Sequence, residues 1–129
     1  MRKSKGSTKN ILDGVLEGIQ RIKGKEITVV DLNSIHHTEC GYFVICHGTS
    51  STQTNAIAES VEETVKEMTG VDAWHKDGYR NAIWILLDYG DVMVHVFQKE
   101  ARDFYNLEGL WADAKTTVIK EESEIYHDR

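Results

Sequence analysis

Five histidine and cysteine residues lie close together in the first half of the chain and could in principle bind a metal ion: His36, His37, Cys40, Cys46 and His47. Imidazole and thiolate groups are the ligands that zinc prefers, and four of them complete a tetrahedral site. The spacing matches no usual zinc motif, however, and neighbouring strand residues such as Cys46 and His47 point to opposite faces. We therefore predict no metal site and no cofactor, with Cys46 in the core and both earlier histidines on a surface loop. A zinc-dependent structural module is the alternative.

A second candidate is the sequence Gly48-Thr49-Ser50-Ser51, which joins a predicted strand to a predicted helix. Backbone N–H groups at such a junction can hold a phosphate, which would suit a small nucleotide-binding or nucleotidyltransferase-type enzyme. The Gly-Lys-Ser/Thr of a Walker loop is absent, and Asp31 has no second carboxylate to help it hold magnesium. The sequence therefore favours helix capping by Ser50 or Ser51.

The third candidate is His95, in a predicted strand close to Asp88 and Asp91. A His–Asp pair is part of a hydrolase triad, but no nucleophile accompanies it here. We predict that His95 is a hydrogen-bonded structural or interface residue and that the protein is not an enzyme.

The composition sets the limits within which these groups act. The chain has 129 residues and a net charge of −6, and it contains no proline and only two cysteines. One domain of this size can bury a core. An acidic domain is poorly suited to nucleic acid and well suited to a basic protein. The sequence predicts a cytoplasmic protein, because we expect its cysteines to be reduced and find neither a secretory signal nor an apolar run of ~18 residues.

Periodicity predicts the elements that must position these residues. Helical stripes cover about 8–23, 51–68 and 99–106, and β-branched or apolar runs predict strands at 27–32, 42–47, 71–76, 83–88 and 92–97. The near-continuous apolar run at 42–47 suggests burial on both faces. Gly14 and Gly18 weaken the first helix or allow another element to approach it closely. The order α-β-β-α-β-β-β-α predicts an α/β fold with a mixed sheet flanked by helices, followed by a charged tail that frays from Lys115.

The hairpin predicted over residues 83–97 has two faces of different character. Side chains alternate along a strand, so one face is aliphatic and the other carries Trp84, Leu86, Asp88, Met93, His95 and Phe97. Aromatic residues and methionine are enriched at interfaces, which predicts a partner-binding surface anchored by Trp84. The alternative is that Trp84 and Phe97 simply pack under a helix. The predicted contact residues are Asp77, Trp84, Leu86, Asp88, Asp91, Met93, His95 and Tyr105.

The chain resembles the ribosomal silencing factor family, which is also called the Iojap-related family. The resemblance covers about residues 8–114 and is carried by segments 42–46, 48–51, 56–58, 84–92 and 94–98, with Arg102, Phe104, Tyr105, Leu107, Glu108, Leu110 and Trp111. It implies a domain at 8–114 between a basic tail at 1–7 and a charged tail at 115–129. It also implies a nucleotidyltransferase-like fold that lacks the catalytic carboxylates.

The resemblance further implies a function and a partner. It implies a translational repressor that binds the large ribosomal subunit through ribosomal protein fourteen and sterically blocks joining of the small subunit. Nutrient limitation is the implied condition, and a role in subunit assembly is a further possibility. The free protein could pair with a second copy through the Trp84 face.

The chain departs from the family pattern at two positions. Gly41 stands where the family usually has aspartate, immediately before the second strand, and Asp77 stands where it usually has glutamate. The second change keeps the charge. The first removes a carboxylate, for which Glu39 is the candidate substitute.

Overall fold

The computed structural model describes residues 7–35 and 38–120. Within them the helices are α1 (Thr8–Arg21), α2 (Ser51–Thr69), α3 (Lys99–Tyr105) and α4 (Leu107–Leu110). The strands are β1 (Lys25–Asp31), β2 (Tyr42–Gly48), β3 (His75–Asp77), β4 (Trp84–Asp88), β5 (Val92–Gln98) and β6 (Lys115–Val118). Among these helices none is both long and apolar enough to cross a bilayer.

Serine side chains cap the start of both long helices, and a glycine ends the second one. The Ser7 hydroxyl accepts a hydrogen bond of 3.1 Å from Asn10 N at the start of α1, and Ser50 does the same for Gln53 N at the start of α2. Helix α2 ends at Gly70, whose φ of 77° is the left-handed conformation that glycine adopts at little cost. The prediction that Ser50 or Ser51 caps this helix is confirmed for Ser50.

The six strands form one mixed sheet in the order β3-β4-β5-β2-β1-β6. Strands β2 and β5 run parallel, and every other neighbouring pair is antiparallel. The predicted mixed α/β fold is therefore confirmed. Strand β2 lies inside the sheet and is buried from Val44 to Gly48, as its apolar run predicted.

Helices α1 and α2 pack together on one face of the sheet. Their buried residues, among them Val15, Ile19 and Val61, form one core cluster with Cys46 of β2 and the aliphatic side of β4 and β5. The close approach predicted at Gly18 is confirmed, because a Cβ atom there would lie 2.7 Å from Val61 Cα. Glycine destabilises the helix at this position, but its lack of a side chain lets the two helix backbones meet.

The other face of the sheet is covered over only part of its width. Helices α3 and α4 place Leu107 and the following Ala114 over Val30, Ile45 and Phe97 in a second, smaller cluster. Toward β4 and the edge strand β3 this cover ends. This face is thus a core beneath Leu107 and partly exposed toward β4 and β3, where Leu86 is half-buried and Asp77 is exposed.

The end of the described chain departs from the sequence prediction. Residues from Lys115 were predicted to fray, but Lys115–Val118 form β6 and pair antiparallel with β1, where Thr28 opposes Val118. Two threonines and a valine favour an extended backbone, and β1 offers an unpaired edge. The prediction of fraying at 115–118 is therefore wrong, whereas the division into tails and a domain stays a prediction.

Candidate partner-binding surface

Three of the candidate metal ligands, Cys40, Cys46 and His47, lie in the part of the chain that the structure describes, and they are not grouped around one point. Cys46 is fully buried against the helices, whereas His47 accepts a hydrogen bond on the opposite face of the sheet, as strand alternation predicted. Burial raises the pKa of the Cys46 thiol to about 12 and that of Cys40 to about 11. Within residues 7–35 and 38–120, no three His, Cys, Asp or Glu side chains are grouped to hold a metal ion. His36 and His37, predicted on a surface loop, lie outside the described residues.

At the strand–helix junction that could hold a phosphate, both donors of Thr49 are engaged by the protein itself. The Thr49 backbone N–H and hydroxyl both donate to Gln53 Oε1, at 2.8 and 3.0 Å. The Gln53 amide is held in turn by a bond from its Nε2 to the Ile22 carbonyl, at 3.2 Å. A phosphate held by Thr49 would have to displace these bonds.

A groove between α2 and β3 is also poorly matched to a nucleotide. It has a volume of about 550 Å³ and is lined by Asn55, Glu59, Glu62, Lys76 and Tyr79. Lys76 Nζ lies 3.1 Å from Glu62 Oε1, and the Tyr79 hydroxyl donates to the same carboxylate. The two glutamates make this groove unfavourable for phosphate groups.

Strand register brings most of the predicted contact residues onto one face. Leu86 opposes Asp77 on one side and His95 on the other, while Trp84 opposes Phe97. Directly opposed residues of neighbouring strands project to the same side of a sheet. By the same register, Asp88 and Met93 form a pair on this side. We call the exposed or half-buried members of this set, together with Tyr105, the docking face: Asp77, Trp84, Leu86, Asp88, Met93 and Tyr105.

Trp84 lies at the junction between the covered and uncovered halves of the sheet. Its ring centroid is 4.8 Å from that of Phe97 and 4.9 Å from that of Tyr105 on α3. The side chain is half-buried. Trp84 thus packs beside a helix, as the alternative reading predicted, and is not fully buried; its role as an anchor stays a prediction.

Three of the predicted contact residues also have partners within the protein. His95 is only 5% exposed, so the imidazole supports the docking face from beneath and does not form its surface. Asp91 Oδ2 accepts a hydrogen bond of 2.9 Å from Thr8 on α1. This carboxylate therefore lies on the face of the sheet that α1 and α2 cover. Asp88 Oδ1 accepts from Gly90 N at 2.8 Å and stabilises the hairpin turn.

Aromatic residues outside the predicted set extend this region. The Phe43 ring centroid lies 4.6 Å from that of His95 and 5.9 Å from that of Trp111. Phe104 and Leu110, on α3 and α4, are 79% and 74% exposed. Phe43 joins the face because β2 pairs with β5, opposite Met93. Alternation could have placed Phe43 on one side of β2, but it could not have identified β5 as the neighbouring strand.

Gly41 adjoins the start of β5. A Cβ atom there would lie 3.1 Å from Asn33 Oδ1 and 3.4 Å from the Asp91 carbonyl oxygen. An aspartate at this position would therefore bring a second carboxylate close to Asp91. Glu39, the predicted substitute, is exposed.

The chain is similar to proteins of one family. Residues 5–129 match the family model described as "Ribosomal silencing factor during starvation". The chain is 35% identical over 114 residues to the ribosomal silencing factor RsfS of Halalkalibacterium halodurans, covering 88% of this chain and 96% of that protein. It is 41% identical over 92 residues to that of Bacillus subtilis, covering 71% and 76%. A crystal structure of a Chromobacterium violaceum protein, 32% identical, matches with a TM-score of 0.76 over 88% of this chain and 94% of that one.

Proposed function

The chain belongs to the ribosomal silencing factor family, and on this basis we propose that it represses translation by binding the large ribosomal subunit in the cytoplasm. The binding partner on the subunit is ribosomal protein fourteen, and the bound factor blocks joining of the small subunit. Nutrient limitation is the condition under which this repression operates. The same binding can serve assembly of the large subunit.

The observation that carries this proposal is the half-covered face of the sheet. An aromatic anchor at Trp84 adjoins the apolar side chains of Leu86 and Met93, with the Asp77 and Asp88 carboxylates beside them. A surface with an apolar centre and a charged margin is typical of protein interfaces. The acidic margin, together with the net charge of −6, suits a basic ribosomal protein.

The proposed mechanism is steric and requires no chemistry. A body of 14.7 kDa at the intersubunit surface need only occupy volume that the small subunit requires. An interface of about 800 Å² per partner, with one aromatic anchor, reaches the affinity needed to compete with subunit joining. The engaged donors of the Thr49 junction and the acidic groove beside Glu62 favour this mechanism over a nucleotide-dependent enzyme.

Co-sedimentation with purified large subunits tests the proposal. We expect the wild-type chain to sediment with large subunits and Trp84→Ala to lose this binding, because truncation of a central anchor costs about 2 kcal/mol or more. Met68→Ala is the matched control, since Met68 is a 47% exposed apolar residue on α2, on the other face of the sheet.

Thermal unfolding separates loss of contact from loss of fold. Trp84 also packs on Phe97 and Tyr105, so Trp84→Ala is expected to melt somewhat earlier than the wild type and still be folded at the assay temperature. Wild-type protein that stays in the supernatant with excess large subunits would contradict the proposal. Undiminished binding by folded Trp84→Ala would remove Trp84 as the anchor.

A further inference from the structure

The hydrogen bond between Trp84 and His95 defines the state of the imidazole. Trp84 Nε1 lies 3.1 Å from His95 Nδ1. An indole N–H can only donate, so Nδ1 is the acceptor, and the proton of the neutral imidazole sits on Nε2. His95 is thus the group that satisfies the indole N–H.

The other nitrogen of His95 makes this arrangement costly. His95 Nε2 is buried and has no hydrogen-bond partner among residues 7–35 and 38–120. A buried polar group without a partner destabilises the folded state. A leucine at this position would avoid that cost but would leave the Trp84 indole N–H without this acceptor, so what the imidazole supplies is the bond to Trp84.

The ring contacts of Trp84 with its other neighbours are less directional than this hydrogen bond. Phe97 and Tyr105 pack on it through ring contacts with centroids 4.8 and 4.9 Å away. Aromatic pairs accept centroid distances of about 4.5–7 Å and more than one relative tilt, whereas a hydrogen bond requires a donor–acceptor distance near 3 Å and a nearly linear donor. Only one orientation brings Nε1 to His95.

We propose that His95 is a positioning residue that fixes the orientation of the Trp84 indole and thereby pre-forms the docking face. The docking role of that face rests on the function proposed above. An anchor that is already oriented in the free protein loses less conformational freedom on binding, which strengthens the complex. The contribution of His95 is made without any contact with the partner, because its side chain is buried.

The charge state of His95 is suited to this role. Burial lowers the pKa of His95 to about 4. The imidazole is therefore neutral in a neutral cytoplasm, and its Nδ1 lone pair remains available to the indole N–H.

A matched pair of substitutions tests the inference. His95→Asn keeps a hydrogen-bond acceptor, because the asparagine Oδ1 is the same number of bonds from the backbone as the histidine Nδ1. In His95→Leu the leucine is branched at Cγ like asparagine and is similar to it in size, but it has no acceptor. Both variants remove the imidazole ring, and they differ in whether an acceptor remains at the position of Nδ1.

The first readout is the Trp84 indole N–H resonance of the free protein, assigned by its loss in Trp84→Phe. We expect His95→Asn to keep this resonance close to its wild-type position with slow exchange against water. His95→Leu should shift it upfield and accelerate exchange. A Trp84 resonance that is the same in His95→Leu and in the wild type would overturn the proposal.

The second readout is the Kd for purified large ribosomal subunits. We expect a rise of about tenfold for His95→Leu and less than about threefold for His95→Asn, as the loss of one hydrogen bond predicts. Equal weakening in both variants would show that the ring, and not its acceptor, matters, and would overturn the proposal.

Two further measurements keep the outcomes separate. If the wild type does not bind large subunits, the proposed function fails, while the resonance experiment still decides whether His95 orients Trp84. If His95→Leu does not fold, Trp84 is replaced by 3-benzothienylalanine, which keeps the ring shape, removes the N–H donor and leaves His95 intact. This replacement should also weaken binding about tenfold, and unchanged binding would overturn the proposal.

Discussion

Arg102 Nη1 donates a hydrogen bond of 3.0 Å to His47 Nδ1 and joins helix α3 to strand β2 in the interior of the protein. A guanidinium has donors only, so His47 must present its Nδ1 lone pair and must be neutral. Arg102 Nη2 also donates to Thr28 Oγ1 at 3.2 Å, and Arg102 Nε donates to Glu108 at 3.1 Å. One buried cation therefore ties α3 and α4 to two strands, and through α3 it holds Tyr105 beside Trp84.

We expect Arg102→Met to lower the free energy of unfolding by about 3 kcal/mol, because it leaves Glu108 and His47 without their shared donor. Urea denaturation measures this change. Lys99→Ala in the same helix is the control: its ion pair with Asp103, at 2.7 Å, is exposed to solvent, so its removal should change stability by less than about 0.5 kcal/mol. Equal effects of the two substitutions would show that the Arg102 network does not stabilise the fold.

We expect stability to fall with acid through the buried histidines. Burial lowers the pKa of His95 from 6.5 to about 4, and burial together with Arg102 lowers that of His47. Above pH 6.5 both histidines are neutral in the folded and unfolded states. Below it the unfolded chain takes up protons first, so stability is lost as the pH falls from 6.5 toward 4. The loss from His95 alone amounts to about 3 kcal/mol.

The comparison of wild type with His95→Asn isolates this contribution. Urea denaturation at pH 7 and at pH 4.5 gives the loss of stability for each protein. The carboxylates titrate in both, so the smaller acid loss expected for His95→Asn measures the histidine. Equal acid losses in the two proteins would contradict the assignment.

We expect the acidic margin of the docking face to control the rate of association. Asp77, on the edge strand β3, is exposed and lies opposite Leu86 of β4. Asp77→Lys should slow association with large subunits by about three- to tenfold at low salt, and the difference from wild type should shrink as salt rises. Glu63→Lys makes the same charge change on an exposed site of α2. Equal slowing by both would indicate a dependence on net charge and not on the docking face.

Local pattern was sufficient to predict much of this architecture. Apolar stripes identified α1 and α2, and alternation placed Trp84 and Met93 on one side of the hairpin, which the register confirms. The glycine at position 18 indicated a close approach whose partner, Val61, only the structure identifies. These features depend on periods of 2 and 3.6 residues, which are visible within a short segment.

The features that the sequence did not predict depend on contacts between distant segments. The parallel pairing of β2 with β5 brings Phe43 to the docking face. Strand β6, which comes from a charged segment, pairs with the otherwise free edge of β1. The burial of His95 follows from the packing of Phe43 and Trp84 over it. No local pattern reports which strands become neighbours, so these placements required the structure.

The central claim, that the factor acts by steric exclusion, is tested most directly by subunit association followed by light scattering. The factor is added before or after the subunits have joined, with and without ATP or GTP. Steric exclusion predicts inhibition without nucleotide, stronger when the factor is added first, and relieved by excess large subunits that titrate the factor. Equal potency in both orders of addition, or nucleotide hydrolysis coupled to inhibition, would contradict it.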